Sequence, residues 1–187
     1  SDTNEYIELC GPSGTRIYNW QIQLFDGSSN NLYTNCVITN LTTFAHNTTN
    51  GFGFFVFGDP AVTNVDIAFD PDITDNLKNN GGARLIRSMG AYEYQIYWGA
   101  ASPNYDGFTR IGAKTGTRKS SLALEGTGVT YSAFTWKQRT TSGTNSYYSP
   151  GRINNFQSLV GDLVQAPINI VIEIVNYWVT AASNWIV

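Results

Sequence analysis

The sequence predicts an all-β sandwich or barrel, and three observations carry that expectation. Short runs of β-forming residues recur along the chain, separated by Gly, Asn, Asp and Ser. No heptad and no long segment of 3.6-residue period interrupts them. From Ile168 the chain reads Ile-Asn-Ile-Val-Ile-Glu-Ile-Val-Asn-Tyr-Trp-Val, a run of β-formers with one charge, Glu173, and no proline. Many short strands at this spacing suit two packed sheets or one closed sheet.

Taken in order, Tyr6 to Cys10 is the first expected strand, and Gly11-Pro-Ser-Gly14 turns the chain. Tyr18 to Phe25 follows, Asp26-Gly27 starts another turn, and Leu32 to Thr39 is a third strand. Phe54 to Phe57 is a buried run, whereas Val62 to Phe69 alternates. Asp70 to Leu77 has room for a short helical turn. Asn79-Asn-Gly-Gly82 is a strong turn signal before Ala83 to Arg87, and Met89-Gly90 turns into Tyr92 to Trp98. Ser121 to Leu124, Tyr131 to Trp136 and the terminal run complete the set. The expected organisation is a sandwich over residues 1–158 and a strand extension over 159–187, with Ser146 to Ser158 as the link.

Alternation places Ile168, Ile170, Ile172, Ile174 and Trp178 on one face of the terminal strand. Val171, Val175, Tyr177 and Val179 share the other with Asn169 and Glu173. Both faces are largely apolar, as in a strand covered on both sides. At about 3.3 Å per residue the run spans roughly 40 Å, twice a common strand. Unpaired in water it would invite aggregation, so it needs a groove in its own fold or in a neighbour's.

Composition narrows the setting. Of 187 residues, 42% are hydrophobic and only 13% are charged, about half the usual charged share. The surface must be built from Asn, Thr, Ser, Gly and Tyr, a chemistry common on extracellular β-proteins. Eleven basic residues against fourteen acidic ones give a net charge of −3. That balance argues against nucleic acid, whose binding relies on basic side chains displacing counterions. The local cluster Arg110, Lys114, Arg118 and Lys119 reads as a solvated loop or a small anion contact. Twenty terminal residues match a membrane span in length. Asn169, Glu173, Asn176, Ser183 and Asn184 make insertion costly, and no basic flank follows. The chain begins at Ser1 without a methionine or a signal peptide, as a processed secreted protein or a trimmed chain would. Asn40-Leu-Thr42 and Asn47-Thr-Thr49 fit the N-glycosylation pattern. Cys10 and Cys36 form either one disulfide or two buried thiols.

Laid in order, the segments resemble the lamin tail domain family. Asn4-Glu-Tyr-Ile-Glu-Leu9 is similar to that family's opening strand, and Ile17 to Trp20 to its Leu-x-x-Trp element. Phe52 to Gly58 resembles its aromatic, glycine-bounded strand. Gly81-Gly-Ala-Arg-Leu85 with Met89-Gly90 resembles its paired strands about a tight turn. Ser121-Leu122, Phe134-Thr-Trp136 and Ser149-Pro-Gly151 resemble its late and closing motifs. The likeness covers about residues 4–157 and stops before the terminal strand. It implies an immunoglobulin-like sandwich and, from bacterial members, an accessory binding or structural role without catalytic residues.

The residues themselves offer little chemistry. His46 is the sole histidine, so no second one can join it at a metal, and no Gly-x-Ser-x-Gly motif supports a triad. Asp66, Asp70, Asp72 and Asp75 cluster; Asp70, Asp72 and Asp75 are the residues that could hold Ca²⁺, and turn capping is the alternative. Glu5 and Glu8 fall on opposite faces of a strand, a poor acid/base pair. Tyr92, Tyr94, Ile96 and Trp98 form a stripe that either stacks on sugars or packs in the sandwich core. No cofactor is expected.

The expected function is therefore a non-catalytic extracellular or cell-surface structural subunit. It would self-assemble into a filament or surface fibre as a homo-polymer, each copy donating its terminal strand to the next. The alternative is an accessory module that binds carbohydrate or a cell surface, with the strand folded into its own chain.

Overall fold

A computed structural model describes residues 5–40, 43–44, 51–71, 77–87, 90, 92–99, 107–112, 120–128, 131–140, 150–151, 157–158 and 171–176. The fold is an all-β sandwich of two sheets. In chain order the strands are β1 (Tyr6–Pro12), β2 (Gln21–Asp26), β3 (Leu32–Val37), β4 (Phe52–Gly58), β5 (Ile67–Ala68) and β6 (Gly81–Ile86). They continue with β7 (Tyr92–Trp98), β8 (Thr109–Gly112), β9 (Ser120–Thr127), β10 (Phe134–Thr140), β11 (Gln157–Ser158) and β12 (Val171–Asn176). A single 3-10 turn over Tyr131–Ala133 precedes β10.

One sheet runs β10-β9-β12-β1-β4-β5, with β11 also paired to β9. The other runs β3-β2-β6-β7-β8. The core lies between them. Ile7 and Leu9 of β1, Phe55 and Phe57 of β4 and Leu122 of β9 meet Ile22, Leu24, Leu85, Ile96 and Trp98 of the opposite sheet. Alternation explains β2, where Ile22 and Leu24 are buried and Gln21 and Gln23 are only half-buried. It does not describe β4, whose seven residues Phe-Gly-Phe-Phe-Val-Phe-Gly are all buried. Such a strand is covered on both faces: Phe52 and Phe54 pack with Cys10, Leu124 and Phe134, and Val56 packs with Tyr6 and Val62.

Turns follow side-chain chemistry. Between β2 and β3 the Asp26 carboxylate accepts the Ser28 and Ser29 amides at 2.7 and 3.1 Å. Asn30 takes a left-handed φ of 62° there, which Asn tolerates better than most residues.

Several elements differ from expectation. The first strand continues through Gly11 to Pro12, because Gly11 pairs with Gly53 and Pro12 with Phe52; the turn is at Ser13–Gly14. The alternating run Val62 to Phe69 yields only the two-residue β5. The Val62 amide instead bonds back to Asp59, and Asn64 is left-handed at φ 61°, so the chain turns before it can pair. Tyr131 begins a 3-10 turn rather than a strand. Strands β8 and β11 were not expected; each pairs in parallel with a strand distant in sequence, β8 with β7 and β11 with β9. Of the helical turn expected over Asp70 to Leu77, residues 72–76 lie outside the described residues.

Candidate assembly site

The site is the place of β12 in its sheet. Val171–Asn176 pairs antiparallel with β1 on one side, from Tyr6↔Val175 to Cys10↔Val171. On the other side it pairs antiparallel with β9, at Ile174↔Leu122, Val175↔Ser121 and Asn176↔Ser120. Without β12 the sheet would divide into β10-β9-β11 and β1-β4-β5. The described part of the terminal run thus completes its own sandwich. Val171, Ile172, Ile174 and Val175 of the expected assembly strand fall in β12, whereas Ile168, Ile170, Tyr177, Trp178 and Val179 lie outside the described residues.

β11 shares that edge of β9, since Gln157 and Ser158 lie beside Gly126 and Thr127 while β10 occupies the opposite edge. Extending the β12 register from Ile174↔Leu122 brings Val171 level with Glu125. Ser158 and Val171 are then about two register steps apart, roughly 7 Å along the edge. Twelve residues, 159–170, connect them. Fully extended, such a connection reaches roughly 40 Å.

The wall of this slot is pinned by buried carboxylates. Glu5 and Glu8 are 1% and 2% exposed. Glu8 Oε2 accepts the Gly151 amide at 2.5 Å, and the Asn64 amide group donates to the Pro150 carbonyl at 2.9 Å. Pro150 and Gly151 are thereby tied to β1 and to the loop after β4. Glu5 Oε2 accepts the Leu77 amide at 2.9 Å. The Glu5 amide donates to Asp59 Oδ2 at 2.7 Å, and the Val56 amide to Asp66 Oδ2 at 2.8 Å. A carboxylate buried this deeply requires such donors. The signal for these links was present in Tyr-Ile-Glu-Leu, where a charge interrupts an apolar strand, although the partners could not be read.

The two cysteines do not form a disulfide. Both are free and buried, and they belong to different clusters: Cys10 packs with Phe52, Phe54, Leu124 and Phe134, whereas Cys36 lies in the main core. Parity explains the separation, since Cys10 alternates away from Ile7 and Leu9. Burial, reinforced by the Glu8 charge, raises the Cys10 thiol well above its ordinary value. Burial raises Cys36 to about 11. Neither is a thiolate near neutrality, so neither is a nucleophile.

The other expected sites are placed as follows. Ile96 and Trp98 of the aromatic stripe are 2% and 1% exposed, and Trp98 Nε1 donates to the Lys78 carbonyl at 2.7 Å. Half-buried Tyr94 packs on the core and meets the Tyr131 ring at 4.9 Å between centroids, tilted by 40°. Tyr94, Ile96 and Trp98 therefore pack toward the core, and the side chain of Tyr92 lies outside the described residues. Asp66 caps a backbone amide, while Asp72 and Asp75 lie outside the described residues, as do His46 and Asn47. Among the described residues no group of three or more His, Cys, Asp and Glu could hold a metal ion. Asn40 is exposed. Exposed Arg110 donates to the Gly99 carbonyl at 3.3 Å, and Lys114, Arg118 and Lys119 are outside the described residues. No helix of the described residues is long and apolar enough to cross a membrane.

Comparison of the chain with protein families, with curated proteins and with solved structures finds no match.

Proposed function

We propose that this chain is a non-catalytic extracellular structural subunit, built on an immunoglobulin-like, lamin-tail-like sandwich, that assembles into a filament or surface fibre by donating its C-terminal strand. The observation that carries the reading is the place of β12. It is an interior strand, held by β1 on one side and β9 on the other. Any copy of Val171–Asn176 can make the same backbone bonds in the same slot. The twelve-residue connection is several times longer than the gap it closes within one chain. Exchange between copies therefore keeps every backbone pair and requires no new recognition surface. Strand addition draws affinity from backbone hydrogen bonds and specificity from alternate side chains. A contact in which copy n fills copy n+1 is heterologous, and it propagates unless it closes into a ring.

The alternative, an accessory carbohydrate- or cell-surface-binding module, needs an aromatic platform other than the Tyr94-Ile96-Trp98 stripe. The experiment that separates the two is negative-stain electron microscopy of the purified chain beside a version truncated after Leu159. Filaments that vanish on truncation support donation. Monodisperse full-length monomers end it, and a glycan screen then tests the alternative.

A further inference from the structure

We propose that Glu8 and Glu173 form a pH-sensitive latch on β12, which seats more firmly in acid and loosens as both carboxylates become charged. Glu173 is the single charge between Ile168 and Val187, and it stands directly across from Glu8 in the register of β1 with β12. Residues directly opposed in an antiparallel pair share one face, with Cβ atoms about 4.5–5.5 Å apart, and like charges there destabilise the pairing. The latch acts on whichever copy supplies β12, so it does not depend on strand donation.

Charges on this face are poorly screened. Glu8 and its face neighbours Tyr6 and Cys10 are buried, as are Val56 and Phe54 of β4, which pair with Glu8 and Cys10. Burial and then the Glu8 charge raise the Cys10 thiol, so the carboxylate is felt by the residue beside it. Neither Cys10 nor Tyr6 carries a charge in acid. Asp59, Asp66 and Glu5, which accept the amides of Glu5, Val56 and Leu77, add only negative charge nearby. On the other side of β12, extending the register from Ile174↔Leu122 brings Ala123 level with Glu173, between Ser121 and Glu125 on the same face. β10 places Lys137 across from Ala123 and Arg139 across from Ser121. These cations are two strands from Glu173 and three from Glu8, about 10 and 14 Å at the usual strand spacing. Lys137 is exposed, and salt screens a charge at that range.

The Gly151 amide, donating to Glu8 Oε2, favours charge on Glu8, so Glu173 is the group that takes the proton. Seated beside Glu8, it holds that proton more tightly than in a strand that has left the slot. The seated state therefore binds more protons, and its advantage is complete in acid and lost as pH rises. Under strand donation, β12 would leave its own slot most readily near neutral pH and be locked in place by acid.

The test is hydrogen exchange of the full-length chain, read by mass spectrometry from about pH 8 to about pH 4, a range that spans the ordinary glutamate value. Rates are corrected for the intrinsic effect of pH, and the chain is kept dilute, with sedimentation velocity reporting its state. Protection of residues 171–176 and 6–10 should rise on the order of tenfold toward acid, while that of residues 81–86 in the other sheet stays level. Glu173→Gln, which keeps the shape and removes the charge, should be as protected at about pH 8 as the parent is in acid. Parent protection that is flat, or that falls toward acid, overturns the latch. So does a Glu173→Gln chain that keeps the parent's pH dependence, which would place the titrating group elsewhere. A flat parent that becomes pH-dependent on Lys137→Met overturns it too, because Lys137 then already neutralises Glu173.

Discussion

The Glu8 carboxylate accepts the Gly151 amide across 143 residues of sequence, at 2.5 Å and out of contact with water. One side chain of the first strand thus fixes the turn from which the chain leaves for β11 and β12. A hydrogen bond to a buried charge contributes more than a neutral one, and its loss strands a buried donor. Glu8→Ala should therefore lower the free energy of unfolding by about 2 kcal/mol. Glu8→Gln, which keeps an acceptor, should lose less. Urea unfolding of the three proteins measures both.

Gly58 ends β4 where the backbone of β1 comes closest. A Cβ added there would stand 2.5 Å from Tyr6 Cβ and 2.7 Å from the Glu5 carbonyl. Both neighbours are bound to the backbone or part of it, so neither can swing aside. Gly58→Ala should cost about 1–3 kcal/mol by overpacking. Thermal unfolding would show it as a clear drop in Tm. An unchanged Tm would mean that β1 and β4 are not so closely apposed.

The Cys36 thiol makes stability depend on alkaline pH. Its folded pKa of about 11 lies above the ordinary thiol value of 9.0, because burial disfavours the thiolate. The native state therefore holds the proton more tightly than the unfolded chain. That contribution is complete below pH 9 and is lost as pH rises through about 11. The loss should reach on the order of 2 kcal/mol, and Cys36→Ala should flatten that part of the curve. Neutral-pH alkylation should leave both cysteines unmodified until the chain unfolds.

Asp26 works in the opposite direction. The Lys78 ammonium, 3.0 Å from its carboxylate, and the Ser28 and Ser29 amides hold its pKa below the ordinary 3.8. The stabilisation is present above pH 3.8 and disappears as pH falls through the lower folded value. Lys78→Met should reduce stability at neutral pH, with the difference from the parent narrowing in acid. Added salt should narrow it too, because the pair is partly exposed. A difference that persists in acid would assign the effect to the Lys78 ammonium, which also lies over the Tyr33 ring at 5.3 Å.

Strands with an intrinsic signal were legible. Tyr6 to Cys10, Phe54 to Phe57 and Tyr92 to Trp98 are apolar runs that any β environment would accept, and each lies within an observed strand. β8 and β11 have no such signal. Thr-Arg-Ile-Gly and Gln-Ser become strands only because β7 and β9 present an edge to them. The failed alternation of Val62 to Phe69 has the same lesson in reverse, since the backbone turn from the Asp59 carbonyl to the Val62 amide and the bond from the Val56 amide to the Asp66 carboxylate outweighed a pattern suited to pairing. For the assembly site, the run from Ile168 announced a strand that needs cover on both faces. Its neighbours did not follow, because β1 and β9 lie more than 160 and 40 residues away in sequence.

The interior place of β12 also sets an order of events during synthesis. β1 precedes the other described strands in the chain, yet among the described residues one of its two edges is paired by residues 171–176 alone. At roughly 5–20 residues per second, that edge waits on the order of ten seconds or more for its own strand. Throughout that interval the nascent chain exposes an apolar, half-paired β1 to any complementary strand nearby. Closely spaced ribosomes on one message would bring such chains together, so under the proposed exchange neighbouring chains compete for a slot as soon as their terminal strands appear.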